Sequence, residues 1–183
     1  MQGHHLILGE QVDFLTGEVL KDTHDERYRQ QIARLLVQDK GYSKREITPR
    51  CPLRIEAGEK QAIITIDFKV TLSEKDCMVI RYGPGSLVTR RRAVLAASRL
   101  LSPYQIPVAV VTNGEDAEIL SGTDGKVLSQ GLESIPARNE MIQIASHHAF
   151  EIITTHRVQM ENRILYVYEV DGCCPGDDNI CRL

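Results

Sequence analysis

A Gly-Pro-Gly-Ser turn followed by three arginines is the stretch whose residue types could bind a ligand. The turn, Gly83–Ser86, follows an apolar run, and Arg90, Arg91 and Arg92 come shortly after it. A chain that passes through such a turn into a helix presents backbone N–H groups and the positive end of the helix dipole to an anion. Ser86 could add a hydroxyl group or cap the helix. The pattern predicts a phosphate-binding site.

The alternative interpretation is a tight turn whose arginines lie in solvent. At about 100° per residue, three consecutive side chains spread over half of a helix, so one ligand cannot contact all of them. Arg92 and Arg99 are seven residues apart and do share a face. The turn also lacks the Gly-Lys-Ser/Thr ending of a P-loop. Both interpretations stay open on the residues alone.

Three of the five cysteines lie close together near the C-terminus, at Cys173, Cys174 and Cys181. Thiolates in a loop are ligands for Zn²⁺ or for an iron–sulfur cluster. A fourth ligand could come from His147, His148 or His156. The CC-x6-C spacing does not match the usual zinc or ferredoxin patterns, and free thiols in a tail are the alternative. Cys51 and Cys77 lie in apolar segments, where we expect small buried side chains.

Composition sets limits on the class of protein. The chain has 183 residues, 42% of them hydrophobic and 26% charged, which is typical of a soluble globular domain. The net charge of −3 excludes a uniformly basic nucleic-acid binder. Residues 77–114, however, contain five arginines and no Asp or Glu, which favours a localised anion site. With no signal peptide or long apolar run, we expect a cytoplasmic protein without membrane contact.

The elements that must position these residues can be predicted from periodicity. A helix should begin at Thr23, with Glu26 completing a capping box, and should end at Gly41. Three strands should follow, then a helix over Leu87–Leu101 and two more strands. The strands are expected at 46–57, 58–72, 76–82, 106–113 and 117–122. In the tail we expect a helix over 140–160, while 162–170 fits either a helix or a strand.

Three segments of this sequence resemble the N-terminal domain of type I restriction enzyme R subunits. They are DFLTGEVLKDTHDERYRQQIARLLVQDKGY, CPLRI and LLSPYQIPVAVVTNGEDAEIL, and the resemblance covers Val12–Pro136. It implies the αβββαβ core of the PD-(D/E)XK restriction-endonuclease-like fold. That is an α/β (α+β) domain with a mixed central sheet flanked by helices. We expect this domain over 1–137, and a C-terminal helical extension with the Cys-rich tail over 138–183.

The resemblance also implies an altered active site. Cleavage in that family needs two acidic ligands for Mg²⁺ and a lysine, with Glu-x-Lys on one strand face. Here that strand reads Ile80-Arg81-Tyr82-Gly83. An arginine cannot bind a divalent cation, and a glycine supplies no ammonium group. The resemblance therefore predicts a degenerate site in which Arg81 replaces a bound cation by a fixed positive charge.

That degenerate site could still bind phosphate. Its predicted members are Arg81, Gly83, Gly85, Ser86, Arg90, Arg91 and Arg92. The alternative is that Arg81 is a structural partner of Asp67 or Glu26.

A rearranged catalytic site is a second hypothesis. Counting back from Arg81 places Asp67 at the position of the family's aspartate, whereas counting forward from Pro52 places Ile63 there. Asp67-Phe68-Lys69 is itself an Asp-x-Lys pattern on one strand face. The second acidic ligand for Mg²⁺ would be Glu26, Glu56 or Glu59.

Three functions follow from these patterns. The leading one is a degenerate nuclease-like protein that binds nucleic-acid phosphate, DNA rather than RNA, or another phosphate-bearing ligand. The second is an active Mg²⁺-dependent endodeoxyribonuclease that uses Asp67, Lys69 and Glu26. The third is a non-catalytic assembly module, and we also consider a homodimer.

Overall fold

The computed structural model describes residues 7–171 and 180–182, with four α-helices and nine β-strands in those ranges. The strands are β1 (Gly9–Val12), β2 (Val19–Asp22), β3 (Ile47–Ala57), β4 (Lys60–Leu72), β5 (Lys75–Tyr82), β6 (Val108–Thr112), β7 (Ala117–Ser121), β8 (Val127–Gln130) and β9 (Ile180–Arg182). The helices are α1 (His24–Arg34), α2 (Arg91–Ser98), α3 (Arg138–His147) and α4 (Thr155–Tyr166).

The main sheet is mixed. Its strands lie in the order β3-β4-β5-β6-β7-β8, and all neighbours are antiparallel except β5 and β6, which are parallel. β9 pairs with the first half of β4, and β1 and β2 form a separate two-stranded sheet. The parallel pair needs a crossover, which α2 supplies. This arrangement confirms the predicted mixed α/β class.

The helices cover both faces of the sheet. Ile32 and Leu36, from α1 and the helical turn after it, and Met141 of α3 belong to one buried cluster. Val94 of α2 and Leu165 of α4 belong to the other. The sheet thus separates two apolar cores. Within the described ranges, no helix is both long and apolar enough to cross a lipid bilayer.

The first helix follows its sequence signals in part. The Thr23 hydroxyl oxygen accepts a hydrogen bond from the Glu26 N–H at 3.1 Å, as a cap should. The predicted capping box is incomplete, because the Glu26 carboxylate accepts from Gln30 instead. The helix continues through a π-helical turn over Leu35–Asp39 and stops before Gly41, whose φ is +75°. The helical segment therefore ends at Gly41, as predicted.

The second helix and the tail differ from the predicted boundaries. α2 is shorter than expected and is preceded by a 3-10 turn over Val88–Arg90. The single helix expected over 140–160 is two helices, with a break at 148–154. In that break Phe150 has φ of +49°, and its ring packs edge-on against Tyr104. Such tertiary contacts override a helical pattern in the sequence. The strand β8 was not predicted.

Candidate functional site

Asp67 lies in β4 at the point where this strand changes sides. Ile66 packs into one core cluster and Phe68 into the other, although residues two apart on a regular strand share a face. In the register Pro49 pairs with Phe68 and Cys51 with Ile66, so Arg50 lies at the same point of the β3–β4 ladder, and it has φ of +49°. A left-handed backbone is uncommon for residues other than glycine. At this irregularity the Asp67 side chain is only 3% exposed.

Two arginines hold the Asp67 carboxylate. Its Oδ1 accepts a hydrogen bond from Arg29 Nε at 2.7 Å, and its Oδ2 accepts from the Tyr82 N–H at 2.8 Å. Arg81 Nη1 donates to the same Oδ2 at 3.4 Å. Burying an ionised carboxylate is costly unless it is paired and hydrogen-bonded. Both oxygens of Asp67 meet this requirement through guanidinium and backbone donors.

Arg81 connects three parts of the chain. Besides Asp67, its guanidinium donates to the Thr65 carbonyl oxygen and to the Glu169 carboxylate. Glu169 lies in the π-helical turn after α4, so the C-terminal part of the chain contacts this site. Arg81 is therefore a structural partner of Asp67, as the alternative interpretation predicted.

Arg29 lies between two acidic side chains. Its Nε contacts Asp67, and its Nη1 lies 3.7 Å from Glu26 Oε2. Burial opposes the charge of Arg29, yet the nearby carboxylates, Asp67 first, raise its pKa above the usual value. A guanidinium thus occupies the space between the two carboxylates that sequence reasoning assigned to Mg²⁺.

A second buried carboxylate, Asp13, extends this network. Its Oδ2 accepts from Arg50 Nη1 at 2.8 Å and from Gln30 Nε2 at 3.0 Å, and Gln30 also donates to Glu26. Burial alone would raise the pKa of Asp13. The hydrogen bonds from Thr16, Arg50 and Gln30 outweigh it and lower that pKa to about 2.

These side chains do not fit a divalent cation. Mg²⁺ is held by carboxylate and water oxygens in octahedral geometry. Here the oxygens of Asp67 already accept hydrogen bonds from guanidinium groups, which would repel a cation. In the described part of the chain, no cluster of three or more His, Cys, Asp or Glu side chains could hold a metal ion.

Lys69 forms its ion pair with Asp76 of β5. Its Nζ lies 3.1 Å from Asp76 Oδ1, and the same carboxylate accepts from Thr71 and Ser102. The contact between Lys69 and Asp76 joins β4 to β5. A rearranged catalytic site would need Lys69 beside Asp67. In the structure the partner of Lys69 is Asp76 instead.

The other predicted acidic ligands, Glu56 and Glu59, lie at the far end of the β3–β4 hairpin. Glu56 pairs with Gln61 in the register, and Glu59 is in the connecting turn. Six residues of strand separate Gln61 from Asp67, which is about 20 Å. Of the three predicted acidic partners, only Glu26 lies near Asp67.

In the turn after β5, the guanidinium of Arg90 packs directly against Gly83. The Gly83 N–H donates to the Thr112 carbonyl oxygen at 2.9 Å. A Cβ atom at Gly83 would collide with the Arg90 guanidinium, whose Nη2 donates to the Pro84 carbonyl oxygen at 3.1 Å. Ser86 does not cap α2, which begins at Arg91 without a side-chain cap. Gly85 and Ser86 are exposed.

The next two arginines point into ion pairs. Arg91 forms a two-pronged pair with Glu118 of β7, with both N–O distances 2.5 Å. Because Arg91 donates to it, the pKa of Glu118 is lower than usual. Arg92 Nη2 lies 2.8 Å from Glu161 of α4. Of the three consecutive arginines, Arg90 is the one that stays on the turn.

The cysteine predictions separate into two groups. Cys51 and Cys77 are buried, as expected, and both are free thiols. Burial raises the pKa of the Cys51 thiol to about 11, so it is a thiol at neutral pH. Cys173 and Cys174 lie outside the described residues. For Cys181 only the backbone is described, and it pairs with Ile63. The Zn²⁺ or iron–sulfur site stays a prediction.

Residues 24–136 match the family described as type I restriction enzyme R protein N terminus. The chain belongs to this family. The match runs from the start of α1 to the segment just before α3, so it includes Asp67, Arg81 and the Gly-Pro-Gly-Ser turn. No curated protein and no solved structure gives a significant match.

Three arginines of the family region pair with carboxylates beyond it. Arg81 pairs with Glu169, and Arg92 and Arg99 both pair with Glu161. Sequence reasoning missed Glu161 and Glu169, because nothing in the tail indicates which helix face meets the sheet. It also missed Arg29, although this residue is the arginine of the Arg-Gln-Gln motif by which the resemblance to the family was found.

Proposed function

We propose that this protein is a catalytically degenerate member of the type I restriction enzyme R N-terminal family that binds nucleic-acid phosphate without cutting it. One observation carries the first half of this proposal: a guanidinium, that of Arg29, lies between Asp67 and Glu26. A second guanidinium, that of Arg81, stands where the family's glutamate is expected. Fixed cations in these places compete with a divalent ion for the same oxygens.

The second half rests on the turn after β5. Gly85 and Ser86 are exposed there, and Arg90 lies across Gly83 at the same turn. A guanidinium beside an exposed turn suits the oxygens of a phosphodiester, because it offers several donors in one plane. Arg91 and Arg92 contribute positive charge but are already paired with carboxylates. The proposed contact is therefore Arg90 with the turn.

Cleavage is tested with supercoiled plasmid and the full chain in EDTA, Mg²⁺ or Mn²⁺. We expect no nicking under any of these conditions. Metal-dependent nicking that disappears in the Asp67→Asn variant would overturn the degenerate assignment and establish an active site at this aspartate.

Binding is tested by the mobility shift of a short DNA duplex at several salt concentrations. We expect Arg90→Gln to weaken binding and to reduce the salt slope by about one, the value for one lost phosphate contact. Arg54→Gln is the matched control. It removes the same charge from an exposed side chain on β3, which is separated from β5 by β4.

Two outcomes would contradict the binding proposal. Equal weakening by Arg90→Gln and Arg54→Gln would show that general charge, not the turn, governs the shift. Absence of any shift at low salt would remove nucleic acid as the ligand and leave the assembly module as the better hypothesis.

A further inference from the structure

A cavity of about 500 Å³ opens between the end of α2 and the start of α4, away from Asp67. The break between α3 and α4, residues 148–154, forms much of its wall. Most of that wall lies beyond the region that matches the family. The charged and imidazole side chains that line it are Arg99, His147, His148, Glu151 and Arg157.

The wall of this cavity is backed by an excess of positive charge. Glu161 of α4 is completely buried, and three arginines contact its carboxylate: Arg157 at 2.6 Å, Arg99 at 2.7 Å and Arg92 at 2.8 Å. One carboxylate cannot neutralise three guanidinium groups. Even with the cavity-lining Glu151 counted, the acids do not match the arginines.

Arg99 is the fixed part of this cluster. It is 5% exposed, and it donates to Gln105, Glu161 and the carbonyl oxygens of Gly122 and Thr123. Burial lowers the pKa of Arg99, and its cationic neighbours lower it further, in spite of Glu161. A buried cation whose neighbours are also cations favours an anion nearby.

One further feature points in the same direction. Thr154, which lines the cavity, caps α4 by accepting from the Arg157 N–H at 3.3 Å. The positive end of a helix of 12 residues therefore lies at the cavity wall beside Arg157.

We propose that this cavity binds a phosphate monoester, with Arg157 as the side chain that contacts it and Arg99 as the fixed positive wall. The side chain of Arg157 is 48% exposed, so it is accessible from solvent, while its Nε stays on Glu161. The volume lies in the usual range for sites of small organic ligands, about 300–1,000 Å³. The phosphate could belong to a free mononucleotide or to the 5′ end of a nucleic-acid strand.

The test is calorimetric titration of the full chain with three probes. These are adenosine monophosphate, a short 5′-phosphorylated oligonucleotide and the same oligonucleotide without its phosphate. We expect Arg157→Gln to weaken the binding of the phosphate monoester at least tenfold. Arg163→Gln, on the exposed face of the same helix, is the matched control and should bind like the unmodified chain.

A second variant tests whether a loss of binding in Arg157→Gln comes from the lost contact or from misfolding. His147 is exposed at the cavity mouth, and His147→Glu adds a negative charge without removing a buried contact. It should also weaken binding, with an unchanged far-UV circular dichroism spectrum. A preference for the mononucleotide over the phosphorylated strand identifies a free ligand as the source, and the reverse identifies a strand end.

The proposal fails if neither phosphorylated probe binds, or if Arg157→Gln and Arg163→Gln behave alike. It is independent of the proposed phosphodiester contact at the β5 turn. Arg90→Gln should leave mononucleotide binding unchanged, so each proposal can fail while the other holds.

Discussion

At the scale of single residues, Arg29 has a large predicted effect on stability. Replacing it in Arg29→Gln leaves Asp67 buried with one charged partner fewer, which should cost about 3–5 kcal/mol of unfolding free energy. Arg27→Gln, on the exposed side of α1, breaks a surface pair with Asp22 and should cost much less, because solvent screens this pair. Urea denaturation at pH 7 measures both. The double variant Arg29→Gln/Asp67→Asn should recover part of the loss, and no recovery would show that the two side chains act independently.

Asp13 predicts a specific acid response. Its pKa is lowered to about 2 in the folded chain, below the ordinary value near 3.8, so folding favours the ionised form. Its contribution to stability is therefore complete above about pH 4 and is lost as pH falls toward 2. Asp13→Asn should lower stability at pH 5 by about 1–3 kcal/mol and flatten the decline between pH 4 and 2.

Asp124 is the control for that measurement. Its pKa is also lowered to about 2, through Lys126 and Ser121, but its side chain is 44% exposed. Solvent and salt screen such a pair. Asp124→Asn should change the acid slope less than Asp13→Asn, and less still in 1 M salt. An equal effect of the two variants would contradict the role assigned to burial.

The residues of the site were only partly predictable from sequence. Asp67 and Arg81 could be found, because the family pattern places an acid and a glutamate on neighbouring strands. Their pairing was one of two open interpretations. Arg29, Arg50 and Glu169 were missed, since each acts through a contact between segments that are far apart in the chain. No periodicity encodes such contacts.

At the scale of elements, the turn from β5 to α2 contains two glycines for two different reasons. Gly83 has a guanidinium where a Cβ would stand, whereas Gly85 has open space but φ of +86°. Gly83→Ala should therefore displace Arg90 and weaken the DNA mobility shift with little loss of stability. Gly85→Ala should cost about 1 kcal/mol of stability, because L residues avoid this backbone region. Thermal unfolding together with the shift assay separates the two, and a strong binding defect in Gly85→Ala alone would reverse the assignment.

Elements with strong local signals were predicted best. The three strands β3 to β5 and the start and end of α1 agree with periodicity, caps and glycine positions. The tail was predicted poorly, because Phe150 and Ile152 are held by contacts with Tyr104 and not by local preference. The break that they create is also the wall of the cavity, so the misassigned segment is the one with a proposed ligand.

At the scale of the whole molecule, the C-terminal helices and the family region depend on each other. Leu165 and Tyr166 of α4 pack into the same core cluster as α2, and Glu161 and Glu169 pair with arginines of the family region. Without α4, those guanidinium groups would lose their carboxylates and the apolar face of α2 would meet water. A chain ending at residue 137 should therefore not fold into a stable protein.

Two probes test this dependence in the complete chain. Tyr42 and Tyr82 lie in one core cluster and Tyr166 in the other, so tyrosine fluorescence reports both cores, while circular dichroism reports the helices. If the parts unfold together, the two signals should change at one urea concentration. Glu161→Gln should shift that single transition to lower urea and lower the unfolding free energy by about 3–5 kcal/mol, because three arginines lose their common partner. The contrary result would be two separate transitions, of which Glu161→Gln shifts the earlier one and leaves the later one unchanged. It would mean that α4 unfolds independently and that its carboxylates do not stabilise the family region.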